Sequence, residues 1–224
     1  MSGLHIDSVR KMFGSRQILN DIFLSCKQGE IVGLFGRNGS GKSTLLKIIF
    51  GSLKSDYKYV SIEGNKLDTL ADSKHLIRYL PQHSFLPNHV RIKQLINAFH
   101  PENIALKLSN HELVAPWLNC KAKELSGGEL RILEVMLIMY SEAPYILLDE
   151  PFNGISPINV ETIKGIIKLN SPDKSIVISD HDYHNVLDIS TRNVLLNNGN
   201  TKVIGGINDL IDSGYLPASL NLNR

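Results

Sequence analysis

Hydrophobic positions along the chain fall into short blocks, and most of the blocks stop abruptly. Residues 30–36, EIVGLFG, form a β-type apolar run ending in glycine, as a strand buried on both faces would. Residues 42–50, KSTLLKIIF, switch to helical spacing, with Gly51 placed as a C-terminal stop. Residues 57–65, YKYVSIEGN, alternate and turn at Gly64-Asn65, the pattern of an antiparallel strand. YILLDE at 145–150 and KSIVISD at 174–180 are two more short buried strands. Between them, 156–169 predict a helix: Ser156 suits the N-cap, Pro157 the first turn, and Ile158, Ile163, Ile166 and Ile167 one apolar face. Residues 193–206 read as a hairpin about Asn198-Gly199. The stretch 91–141 carries helical patterns and no convincing strand. The whole predicts an α/β core, residues 1–82 and 126–224, interrupted by a small helical subdomain at about 83–125.

Composition narrows the function classes. The chain has 224 residues, 42% apolar and 21% charged, as an ordinary globular protein has. Its net charge of +2 creates no field that would attract nucleic acid, and no nucleic-acid partner is expected. Cys26 and Cys120 have no metal-ligand spacing and read as buried free thiols in a reducing compartment. Residues 1–14 alternate and are charged, which does not suit a signal peptide. The longest apolar stretches, VMLIM and YILL, are too short to span a membrane. The expectation is a cytosolic chain that reaches a membrane only through a partner.

Chemistry enters at GRNGSGKST, residues 36–44, between a predicted strand and a predicted helix. Gly36, Gly41, Lys42 and Ser43 match G-x-x-x-x-G-K-[ST], a phosphate-binding loop. Gly36, Asn38, Gly39, Ser40 and Gly41 let backbone N–H groups wrap the phosphates, and Lys42 adds a point charge. Ser43 is placed to ligate Mg²⁺, and Thr44 to bond a nearer phosphate. A second, acidic anchor for the metal is expected at Asp149, where YILLDE leaves its buried strand. Glu150 follows as the residue to orient or deprotonate a water. KSIVISDHD ends its strand the same way and puts His181 on the same rim, where an imidazole could bond a terminal phosphate. A plain surface histidine is the ordinary alternative.

ELSGGELR, residues 124–131, has the shape of a second anion site, with Ser126, Gly127 and Gly128 opening an apolar helix. GRNGSGKST, the glutamine of YLPQ (Gln82), LSGGE, YILLDE, PFNGIS and His181 stand in the order found in ABC-type ATPases, the nucleotide-binding subunits of ABC transporters. The chain resembles that family over almost its whole length. The resemblance implies a single ABC ATPase domain over 1–224: a P-loop NTPase core with a mixed sheet, an N-terminal antiparallel β-subdomain and an inserted helical subdomain. It implies Mg-dependent ATP hydrolysis, with ATP and Mg²⁺ as cofactors. Phe13 would stack on adenine, and Gln82 would touch Mg²⁺ or the water. It also implies a head-to-tail homodimer, or a heterodimer with another ABC ATPase, in which Ser126, Gly127 and Gly128 of one copy close over ATP held by the other.

A membrane-spanning transporter subunit is the implied partner, placing the chain on the cytoplasmic membrane's inner face. A soluble ABC ATPase of iron–sulfur assembly is the alternative. Phe85 and Leu86 in HSFLPNHV, residues 83–90, look too apolar for a free loop: either they meet the membrane partner or they tuck into the core. Three departures from the family's pattern stand out. Ser156 replaces a usual Asp, the stretch from Gln82 to Leu125 is short, and the chain stops soon after its last hairpin. DEPFNGISPINV followed by ISDHD looks nearest the lipopolysaccharide-export and branched-chain amino-acid types.

Overall fold

The computed structural model describes residues 3–217. Met1, Ser2 and residues 218–224, on which the expectations about the two ends partly rest, lie outside the described residues. In chain order the elements are β1 (Leu4–Phe13), β2 (Arg16–Cys26), β3 (Ile31–Phe35), α1 (Lys42–Phe50), β4 (Tyr57–Ile62), β5 (Asn65–Lys66), α2 (Leu70–Ser73) and β6 (Ile77–Leu80). There follow α3 (Ile92–Phe99), α4 (Glu102–Ser109), α5 (Gly127–Met139), β7 (Tyr145–Asp149), α6 (Pro157–Asn170) and β8 (Ser175–Ser179). The chain continues with α7 (Tyr183–Ile189), β9 (Arg192–Asn197), β10 (Asn200–Ile204) and α8 (Ile207–Asp212).

Two sheets share the molecule. The first is antiparallel, in the order β2-β1-β4-β5. The second runs β10-β9-β3-β8-β7-β6, parallel except for β10, which pairs antiparallel with β9 at one edge. Parallel strands need cover on both faces, and β3, β7 and β8 are buried at every position. Ile146, Leu147 and Leu148 are fully buried, each contributing about 1.5–3 kcal/mol. A slip of one residue would exchange the faces of the whole strand, so this burial fixes where Asp149 leaves the sheet.

The fold corrects several sequence expectations. The α6 face is Val160, Ile163 and Ile167, with Ile166 beside it, whereas Ile158 is 76% exposed. Ile158 precedes Ile163 by five residues, about 140° around a helix, so it never shared that face. Ser156 occupies the N-cap of α6 without a side-chain capping bond. The turn after β4 is centred on Glu63 and Gly64, both with positive φ, and Asn65 already pairs with Ile62. Two consecutive left-handed residues suit the twist of a tight hairpin. Leu86 is only 5% exposed and belongs to the main core, so the core alternative holds for it. Phe85 is partly buried, its ring centroid 5.6 Å from that of Phe99. Cys26 is buried, but Cys120 is half-buried, in the surface turn where its N–H reaches Trp117.

Candidate functional site

All the parallel strands deliver their C-terminal ends to one rim. β3 runs into the glycine-rich loop and α1, β6 into Gln82, β7 into Asp149 and Glu150, and β8 into His181. Phe13, Lys42, Thr44, Gln82, Glu150 and His181 line one cavity of ≈ 460 Å³, together with Asn38, Gly39, Gly41 and Ser43. Gly36 and Ser40 form the loop behind it. A Cβ on Gly36 would stand 2.5 Å from Ser40 Oγ and 2.7 Å from the Leu196 carbonyl, so the loop closes only without one. Gly39 has φ +76° and open space around it, which leaves a backbone free to be approached. The Ser40 hydroxyl is buried without a hydrogen-bond partner, an orphan of the kind a phosphate oxygen satisfies.

Lys42 is 6% exposed, and its ammonium donates to the carbonyl of Gly36 at 2.6 Å. Burial pulls its pKa down, and the charges of Glu150, Asp149 and Asp180 oppose that shift. Ser43 Oγ donates to Asp149 Oδ1 at 3.0 Å. Ser179 donates to the same oxygen at 3.0 Å, and the Tyr79 hydroxyl to Oδ2 at 2.9 Å. The Ser43–Asp149 pair offers two hard oxygen donors, the set from which Mg²⁺ takes a few protein ligands while keeping waters and phosphate oxygens.

Glu150 is 4% exposed and has φ +53°, a left-handed backbone uncommon for a side chain of this size. Its carboxylate is held from three sides. Oε2 accepts from Gln82 Nε2 at 2.6 Å and from Asn153 Nδ2 at 3.0 Å, and Oε1 lies 2.8 Å from His181 Nε2. Gln82 is thus paired with Glu150 rather than with the Ser43–Asp149 pair. Phe13 is half-exposed at the cavity edge, with the Lys11 ammonium 5.0 Å from its ring centroid.

Ser126, Gly127 and Gly128 are not brought to this cavity. They begin α5, where Ser126 Oγ donates to Glu129 Oε2 at 2.7 Å and Glu129 accepts from the Ser126 N–H at 2.8 Å. S-x-x-E is a capping box, a local role the sequence displayed openly, and the Ser126 bonds hold the Glu129 pKa down. The two glycines differ. A Cβ on Gly128 would collide with the Asn159 side chain on α6, whereas Gly127 has nothing within 4 Å. The Asn159 amide is the free end of a half-buried side chain that could swing aside, so packing inside the chain requires neither glycine.

Sequence reasoning missed Tyr79, Ser179 and Asn153. Tyr79 and Asn153 lie inside YLPQ and PFNGIS, so their motifs were seen without their roles.

A family model described as ABC transporter matches residues 19–153. An uncharacterized ABC transporter ATP-binding protein of Rhizobium meliloti is 30% identical over 214 residues, covering 90% of this chain and 79% of that protein. The lipopolysaccharide export system ATP-binding protein LptB of Escherichia coli is 28% identical, covering 96% of this chain and 95% of LptB. Among solved structures, a nucleotide-free ATP-binding cassette from an ABC transporter superposes with a TM-score of 0.83 at 23% identity, covering 100% of this chain and 99% of that one. A cassette in its ADP conformation gives 0.82 at 22% identity, with both chains fully covered. At these identities the two structures speak for the fold: an α/β P-loop NTPase core with a mixed sheet and an antiparallel sheet.

Proposed function

The chain belongs to the family of ABC transporter ATP-binding proteins, and from that premise we propose how its residues divide the work. It is an ATP-binding subunit of an ABC transporter, a class of ATP-hydrolysing proteins that dimerise and pair with membrane subunits. The finer assignments are these. One ABC ATPase domain, with a helical part at about 83–125, binds ATP between Phe13 and the loop 36–44. Gly39, Gly41 and the Ser40 hydroxyl face the phosphates, and Lys42 exchanges its bond to Gly36 for one to a phosphate oxygen. Ser43 and Asp149 would hold Mg²⁺, while Gln82 stays with Glu150.

ATP supplies the phosphoryl group, and Mg²⁺ offsets its charge when bound. Glu150 accepts the proton of the attacking water, since its carboxylate opens into the cavity with no cation bonded to it except a protonated His181. Gln82 and Asn153 orient that carboxylate through Oε2, and Oε1, 2.8 Å from His181 Nε2, turns to the water once His181 bonds the terminal phosphate. His181 is poised to bond the terminal phosphate. Ser126, Gly127 and Gly128 serve the ATP of a second copy, because they lie away from their own chain's cavity. A transporter subunit docks beside Gln82 on the helical part, tying the protein to the cytoplasmic face of the membrane. Likeness to LptB favours lipopolysaccharide export as the transport that the chain powers.

The observation that carries this reading is the convergence of Lys42, the Ser43–Asp149 pair and the Gln82–Glu150–His181 array on one cavity. The test is phosphate release from ATP with Mg²⁺ and with a chelator, beside calorimetric titration of Lys42→Ala. Turnover should require the metal. The variant should bind ATP at least about tenfold more weakly, since a charge-assisted hydrogen bond contributes roughly 1.5–3 kcal/mol. Metal-independent turnover, or unchanged affinity in Lys42→Ala, would overturn it.

A further inference from the structure

Arg131 and Glu134 on α5 are 6% and 1% exposed and form an ion pair at 3.1 Å. Neither lines the nucleotide cavity. Burying two charges costs about as much as their attraction returns, so stability is a poor explanation for the pair. Its hydrogen bonds point elsewhere. Arg131 Nη2 donates to the carbonyls of Asp149 at 3.0 Å and Glu150 at 2.9 Å, and Nε to that of Pro151 at 3.4 Å. Nη1 donates to the carbonyl of Pro81 at 2.9 Å. Glu134 then accepts from the Phe85 N–H at 3.2 Å through the oxygen not facing Arg131.

One guanidinium therefore grips three consecutive carbonyls around Glu150 and the carbonyl just before Gln82. These two segments already meet in the 2.6 Å bond from Gln82 to Glu150. The residue so gripped is the one whose backbone is left-handed, with φ +53°. A strained backbone persists only where its surroundings over-determine it. A planar fork with several donors in fixed directions suits that task, and a lysine cannot reproduce it.

We propose that Arg131 is a positioning residue for ATP hydrolysis. It holds the main chain of Glu150 in the turn that aims the carboxylate into the cavity. Through Glu134 it also fastens that turn to the segment 81–85, so that movement of this segment moves the carboxylate. The proposal rests on the reading of Glu150 as the base.

Arg131→Lys keeps a cation facing Glu134 but loses the fan of donors. Its kcat should fall at least about tenfold while the Kd for MgATP stays within about twofold, the signature of a group acting on the reaction rather than on binding. In the nucleotide-free protein, amide hydrogen exchange should accelerate together at 82–85 and 149–152, and not in α1. Glu134→Gln is the second variant. Its single amide oxygen can serve Arg131 or Phe85 but not both, so exchange at Phe85 should rise and kcat should fall by a smaller factor. Wild-type kcat in Arg131→Lys would overturn the proposal. So would equal losses in kcat and affinity with a lowered Tm, or faster exchange in only one of the two segments. Should Arg131→Lys fail to fold, unchanged kcat and exchange in Glu134→Gln would overturn it instead. Normal turnover in Glu150→Gln would remove the base reading. Normal turnover in Arg131→Lys beside an inactive Glu150→Gln would remove the positioning role alone.

Discussion

Replacing Glu150 by Gln isolates the chemical step, because the site can absorb the amide with little rearrangement. Gln82 and Asn153 both donate to the same carboxylate oxygen, Oε2, at 2.6 and 3.0 Å. An amide oxygen in that place keeps both bonds. The amide nitrogen then faces His181 Nε2, at the position now 2.8 Å from it, and a change of imidazole tautomer turns that contact into an N–H donated to the ring. One hydrogen bond is exchanged for another, and a buried charge is removed. The stability change should be about 1 kcal/mol or less. What the amide cannot do is accept a proton from water. Loss of a general base costs on the order of 10²–10⁴ in rate, or roughly 3–5 kcal/mol of barrier. Binding should survive or tighten, since a negative group opposite the phosphates is gone. The assay is steady-state phosphate release beside calorimetric titration of MgATP. Size-exclusion chromatography should show an ATP-dependent dimer accumulating. Wild-type turnover in a folded Glu150→Gln would refute the assignment, whatever happened to binding.

Two further outcomes are expected. Lys42→Ala and Ser126→Arg, each inactive alone, should recover ATP-driven dimerisation when mixed, because one complete site forms from the intact loop of one copy and the intact Ser126–Gly128 segment of the other. No recovery between two folded variants would place both loops on one chain's ATP. His100 is 7% exposed, and burial, helped by the charge of Arg78, lowers its pKa to about 4. An unfolded histidine takes its proton near pH 6.5, so between there and about pH 4 the unfolded chain binds more protons and stability falls as the pH falls. The depression amounts to about 3 kcal/mol at most. Urea unfolding at pH 7 and pH 4.5 should show a smaller acid loss in His100→Phe than in wild type, and equal losses would refute the assignment.

Where chemistry is contiguous in the chain, the sequence alone determined it. The loop 36–44 needs its glycines, lysine and serine within nine consecutive residues, because backbone N–H groups must curl around one anion; strand, loop and helix were all legible. Asp149, Glu150 and His181 were legible for a related reason. A short run buried on both faces can end only at a rim, and polar residues just past it stand there. The Asn198-Gly199 hairpin was equally local. Ile158 failed because counting isoleucines does not measure the helical angle between them. Leu86 needed the packed core to decide between two surfaces its sequence suited equally.

Tertiary structure decided what arises between residues far apart in the chain. Tyr79 and Ser179 reach Asp149 across 70 and 30 positions, and Arg131 reaches Pro81 across 50. No periodicity records such partners, since each is defined by which strands lie side by side. Arg131 and Glu134 even counted against the pattern, as charges inside an otherwise apolar stretch of α5. Only the packing of α5 under the ends of β6 and β7 turns them from a break in a hydrophobic helix into the grip on Glu150. That Ser126 and Gly127 do not line their own chain's cavity is likewise a tertiary fact that spacing along the sequence does not contain.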